Sequence, residues 1–130
     1  MKPEQDQNQS FSVRQRLKSF SHAFRGLALL LKVEHNAWIH TVVALLVIAA
    51  GFFFHISTAE WIAVAIVIGL VFMAEGFNSA IEALCDHITP EYSHAIKRIK
   101  DLAAGAVLVA AITAAIVGLL IFVPKLLLIG

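Results

Sequence analysis

Residues 102–123 contain no charged side chain and stop at Pro124. A helix needs roughly 20 apolar residues to cross the hydrocarbon of a bilayer, so this stretch is read as a transmembrane span, and it limits what the rest of the chain can be. Two further stretches share its character. The segment IHTVVALLVIAAGFFF has His40 as its one ionisable group and, with its flanks, predicts a span over 38–56. Another stretch begins at Trp61, stays apolar to Ala74 and continues as EGFNSAIEALCD with no helix breaker before Thr89 and Pro90. One long helix is expected there, apolar first and polar-faced later, with its span over 61–85. Composition agrees: 59% of the 130 residues are hydrophobic and 15% charged, against about 45–50% and about 25% in soluble domains. The expected fold is an all-α membrane protein with three transmembrane helices, a single domain over 11–130, and no room for a large extramembrane unit.

Charge placement predicts orientation, because Lys and Arg beside spans are held on the cytoplasmic side. Lys2, Arg14, Arg16, Lys18, Arg25 and Lys32 precede the first span, and Lys97, Arg98 and Lys100 precede the third. The connection after the first span has no basic residue, and the C-terminal tail has only Lys125. The N-terminus and the second connection are therefore expected inside, at a cytoplasmic membrane. Over 11–33, Phe20, Phe24, Leu27 and Leu31 recur at spacings of three and four with basic residues on other faces, the pattern of an amphipathic helix lying in the interface. Residues 1–10 are polar and Gln-rich, unlike a signal peptide, and are expected to be a frayed tail. The lone Cys85 excludes an internal disulfide and is read as a small buried residue. Ten basic and nine acidic residues give a formal net charge of +1, which offers no argument for a nucleic-acid partner.

The chemistry is expected at one stripe. Glu75, Asn78, Ser79, Glu82 and Asp86 are separated by steps of three, four and seven, which bring them onto one helical face. At 1.5 Å per residue Glu75 lies about 21 Å beyond Trp61 and Glu82 about 31 Å, so Glu75 falls just inside the inner hydrocarbon edge and Glu82 among the headgroups. A carboxylate at that depth costs on the order of 2–3 kcal/mol and calls for a partner or a role. A base there could deprotonate a lipid hydroxyl while a second carboxylate holds a divalent cation such as Mg²⁺, which prefers one or two carboxylates together with phosphate oxygens and water. Glu34, in KVEHNAWIH at the inner end of the first span, has a matching depth and is the candidate second ligand. Lys100 is the basic residue nearest a span and best placed to meet phosphates; Lys97 and Arg98 are read as topological. The seven glycines form neither a Walker pattern nor G-x-G-x-x-G, and the six histidines show no zinc spacing.

EGFNSAIEALCD, TPEY and IKDLAAGAVLVAA, in this order and with three spans, resemble the bacterial diacylglycerol kinase and undecaprenol kinase family over about residues 16–122. The resemblance implies a small homotrimeric lipid kinase using ATP and Mg²⁺, with active sites between protomers at the inner membrane surface. It implies Glu75 as catalytic base, with Asn78 helping to position the base or the lipid hydroxyl, and Glu34 and Glu82 as holders of the Mg²⁺ on ATP. It further assigns Asp86, Glu91, Tyr92, Lys100 and Asp101 to the nucleotide. The surface helix departs from the family pattern: His22 replaces an aromatic hydroxyl, and Gln15 stands where a basic residue is found in some members. EHNAWIH, residues 34–40, is similar to the undecaprenol kinase branch, so undecaprenol is expected ahead of diacylglycerol as the lipid alcohol.

Two other classes fit parts of the pattern. A membrane scaffold would use the stripe only to hold helices together through Asn78 and Ser79. A proton or ion pathway would also place carboxylates in the membrane, but no polar group continues the path toward the outer surface.

Overall fold

The computed structural model describes residues 10–130; the tail expected over 1–10 lies, apart from Ser10, outside them. The described residues form four helices and no strand: α1 (Val13–Val33), α2 (His35–Phe53), α3 (Thr58–Ile88) and α4 (His94–Ile129). The last three are each long and apolar enough to cross a membrane.

α1 starts at Ser12, whose hydroxyl accepts from the Gln15 amide at 3.4 Å. It buries only Leu30, and Phe20, Phe24 and Leu27 are exposed. A single extended residue, Glu34, with φ −99 and ψ 116, separates α1 from α2, and its amide closes the last turn of α1 on the Leu30 carbonyl at 3.1 Å. In α2 the Thr41 hydroxyl is satisfied within the helix by the Ala37 carbonyl at 2.7 Å, which lets a polar side chain sit in an apolar segment.

The turn from α2 to α3 is built tightly. His55 takes the left-handed conformation, φ 51, while its amide reaches the Phe52 carbonyl at 3.3 Å and that of Ile56 reaches Gly51 at 3.1 Å. These two bonds are those of a Schellman cap. Gly51 is required there: a Cβ on it would stand 2.6 Å from Trp61 Cη2. α3 then opens with a capping box, Ser57 Oγ accepting from the Glu60 amide at 3.2 Å and Glu60 Oε1 accepting from the Ser57 amide at 3.0 Å.

α3 and α4 form an antiparallel pair, the most extensive contact in the structure. Ion pairs tie both ends: Lys125 to Glu60 at 2.9 Å and Lys100 to Asp86 at 2.7 Å. α2 packs on α3, and α1 touches both. The small core gathers near the Ser57 end, where Ile56, Val64 and Ile121 are buried among Val47, Phe54, Trp61 and Phe122. Most other large apolar side chains are exposed, as befits helices whose remaining solvent is lipid.

α4 differs from the expectation that Pro124 ends it: the helix runs on to Ile129 with Pro124 inside. Proline removes one amide donor, but the five residues after it, Lys125 to Ile129, are Lys, Leu and Ile, and Lys125 is anchored to α3 through Glu60. One missing bond near the end of a long helix does not outweigh that anchor.

Candidate functional site

The polar stripe of α3 extends from the middle of the bundle toward the Asp86 end. Glu75 is 1% exposed and is the one buried charged residue among those described. His40 of α2 faces it, with Nε2 at 3.0 Å from Glu75 Oε1. That distance suits an ion pair, yet the atoms lack the alignment of a hydrogen bond, and Oε1 has no other donor. Asn78 Oδ1, one turn along, is also buried without a donor. Orphaned buried acceptors are uncommon because each costs on the order of 1–3 kcal/mol, and here two lie within one turn of one helix.

Glu34 reaches the stripe from another element. It occupies the N-cap position of α2, where a side chain commonly bonds the helix's own free amides, but it makes no such bond. Its Oε1 instead accepts from Ser79 Oγ at 2.9 Å. Ser79 lies four residues after Glu75 and three before Glu82, neighbours on the same face, so the contact carries the Glu34 carboxylate to the interval between the two α3 glutamates. Glu34 and Glu82 are half-buried.

Beyond Glu82 the stripe continues to Asp86, which Lys100 Nζ meets from α4 at 2.7 Å. Lys100 and Asp101, adjacent in sequence, go to different partners: Asp101 receives Lys97 at 2.6 Å across one turn of α4. Consecutive helical residues point about 100° apart, so the two cannot share one contact. Glu91 and Tyr92 are exposed on the connection between α3 and α4. Their polar contacts are local, from the Glu91 amide to Thr89 Oγ1 at 3.2 Å and between Tyr92 Oη and His94 Nδ1 at 3.4 Å. The structure thus gathers Glu34, Glu75, Asn78, Glu82, Asp86 and Lys100 along one face, and leaves Glu91, Tyr92 and Asp101 outside that contact set.

Among the described residues no three His, Cys, Asp or Glu side chains converge on one point. Glu34, bonded to Ser79, and Glu82, three residues beyond Ser79, are the carboxylates near this point, and two carboxylates with phosphate oxygens and water are the donor chemistry that a magnesium ion takes. An apolar groove of about 550 Å³ runs between α2, α3 and α4 from His40 and Phe72 to Val64 and Phe122.

The sequence profile of prokaryotic diacylglycerol kinases matches residues 21–122, which contain every site residue named above. The chain belongs to that family. It is similar to an undecaprenol kinase of Bacillus subtilis, 43% identical over 109 residues covering 84% of this chain and 89% of the other. It is also similar to a diacylglycerol kinase of Synechocystis, 37% identical over 112 residues covering 85% of this chain and 64% of the other. Family and fold together make it a lipid kinase with several membrane spans.

Sequence reasoning did not place His40 in the site, and it gave Ser79 a place on the stripe without its partner. His40 had a signal, as the only ionisable side chain in the apolar run of α2. Ser79 was visible on the stripe, but its bond to Glu34 depends on how α2 meets α3. The pair of Glu60 with Lys125 was missed as well, although the S-x-x-E pattern of residues 57–60 is a capping signature.

Proposed function

We propose that this protein transfers the γ-phosphoryl group of ATP to the hydroxyl of a membrane lipid alcohol at the cytoplasmic face of a bacterial inner membrane. Undecaprenol is the favoured substrate, ahead of diacylglycerol. The observation that carries the reading is the buried Glu75 carboxylate, held at the head of a stripe of acids and short of hydrogen-bond donors.

Glu75 takes the proton of the lipid hydroxyl as its oxygen attacks the γ-phosphorus, and ADP leaves. Asn78, whose Oδ1 has no partner within the chain, accepts from or orients the hydroxyl. Glu34 and Glu82 would hold the Mg²⁺ that accompanies ATP, which would supply neutralising charge to the phosphates. Lys100, drawn to the stripe by Asp86, faces the phosphates, and Asp86, Glu91, Tyr92 and Asp101 serve the nucleotide. The groove that begins at His40 is apolar apart from that residue and suits a hydrocarbon tail extending away from the reacting hydroxyl. α1 lies in the inner interface with Phe20, Phe24 and Leu27 toward lipid, and three copies of the chain assemble with their exposed apolar helix faces between them.

The preference for undecaprenol rests on the greater identity to the undecaprenol kinase, 43% against 37%, and on EHNAWIH. Purified protein in detergent micelles, supplied with ATP and Mg²⁺, is expected to phosphorylate undecaprenol faster than a diacylglycerol. The opposite ratio overturns the substrate preference, and phosphorylation of neither lipid overturns the activity.

A further inference from the structure

His40 is not needed for packing. Every other residue lining its groove is aliphatic, aromatic or glycine, and an apolar side chain in its place would continue the lining and avoid placing an imidazole among hydrocarbon. Its side chain is 23% exposed, and its Nε2 lies 3.0 Å from Oε1 of the 2%-exposed Glu75 side chain, close to it though not aligned as a hydrogen bond. No other polar side chain of the described residues is paired with Glu75. A glutamate has three rotatable bonds beyond its backbone, and a base is effective only when its oxygen stands at attack distance from the proton it removes. A carboxylate in an apolar bundle therefore needs something to fix its rotation.

From this geometry we infer that His40 is a positioning residue for the base. Catalytic hydrogen bonds often tighten only when substrate is bound: with a small rotation the His40 Nε2–H closes on Glu75 Oε1 and leaves Oε2 to the lipid hydroxyl. The inference rests on the reading of Glu75 as the base. It assigns the reactive oxygen, and it makes α2 a contributor to the chemistry through His40 as well as through Glu34. The proton that Oε2 accepts comes from the lipid hydroxyl, and His40 neither gains nor loses one in the step.

Three substitutions at one position separate positioning from helix packing. Gln carries an amide N–H at about the reach of Nε2, Asn is one bond shorter, and Leu has the bulk with no donor. His40→Leu is expected to lower kcat for lipid phosphorylation on the order of tenfold to a hundredfold, with KM for ATP and lipid within about twofold of wild type. His40→Gln is expected to recover most of the lost kcat, and His40→Asn to resemble Leu. Wild-type kcat in His40→Leu, equal kcat in the Gln and Asn variants, or a loss confined to KM overturns the inference. If His40→Leu does not fold, the Gln and Asn pair decides alone. Glu75→Gln in the same assay keeps the two readings apart. Turnover retained in Glu75→Gln removes the base itself, whereas an inactive Glu75→Gln beside a fully active His40→Leu removes only the role of His40.

Discussion

Glu60 and Glu75 stand on the same helix, four turns apart, and are treated in opposite ways. Glu60 is saturated: its Oε1 accepts from the Ser57 amide, and Lys125 Nζ contacts both oxygens at 3.2 and 2.9 Å. Around it lie the Schellman turn at His55, the close fit of Gly51 on Trp61 and the core of Ile56, Val64 and Ile121. Glu75 is the more deeply buried of the two, yet its Oε1 has no aligned donor and the nearby Asn78 Oδ1 has none at all. A carboxylate whose acceptors are all filled is bound into structure. One left short of partners at greater burial is costly to the fold, and that cost is what supports the proposal that Glu75 meets a ligand.

The contrast can be broken from either end. Glu75→Gln keeps shape and removes the base, so lipid phosphorylation by the purified protein is expected to fall by about a thousandfold or more, with the melting temperature in detergent unchanged or raised. Glu34→Ala and Glu82→Ala are each expected to lower activity on the order of tenfold to a hundredfold, and a Mg²⁺ titration should show part of the loss recovered at higher cation concentration. Lys100→Ala should raise KM for ATP by about tenfold, measured at saturating lipid. At the other end the effects are on stability. Gly51→Ala drives a methyl into the Trp61 ring and is expected to cost about 1–3 kcal/mol, with kcat of the folded fraction unaltered. Ser57→Ala removes half of the capping box and should cost about 1 kcal/mol, read from thermal or denaturant unfolding in detergent. A Ser57 or Gly51 variant that lost turnover while remaining folded would dissolve the distinction between the two ends.

The helices were legible because each apolar run exceeds the length that a bilayer demands, and the bilayer admits almost no alternative to a helix. Pro124 reads locally as a terminus, but a distant contact, Lys125 to Glu60, holds the next turn of α4. The acids of α3 were legible as one face because they share a helix, and spacing within a helix is a fixed geometry. What was not legible is everything that depends on how two helices meet. The register that sets His40 opposite Glu75 and Glu34 opposite Ser79 follows from how α2 packs on α3, which the residues of the site do not encode. The resemblance assigns Lys100 and Asp101 alike to the nucleotide; that they pair with Asp86 and Lys97 respectively depends on the turn of the helix and on the approach of α4 to α3.

The two unpartnered oxygens at Glu75 and Asn78 also make the protein a reporter of its own occupancy. A fold that gains a hydrogen bond when a hydroxyl arrives is more stable full than empty. By mass action, a lipid alcohol present at about a hundred times its Kd adds about 2.7 kcal/mol to the folded state. Thermal unfolding monitored while candidate alcohols are added one at a time would therefore rank them without ATP and without turnover, and the ranking should collapse in Glu75→Leu with Asn78→Leu, where no acceptor side chain remains.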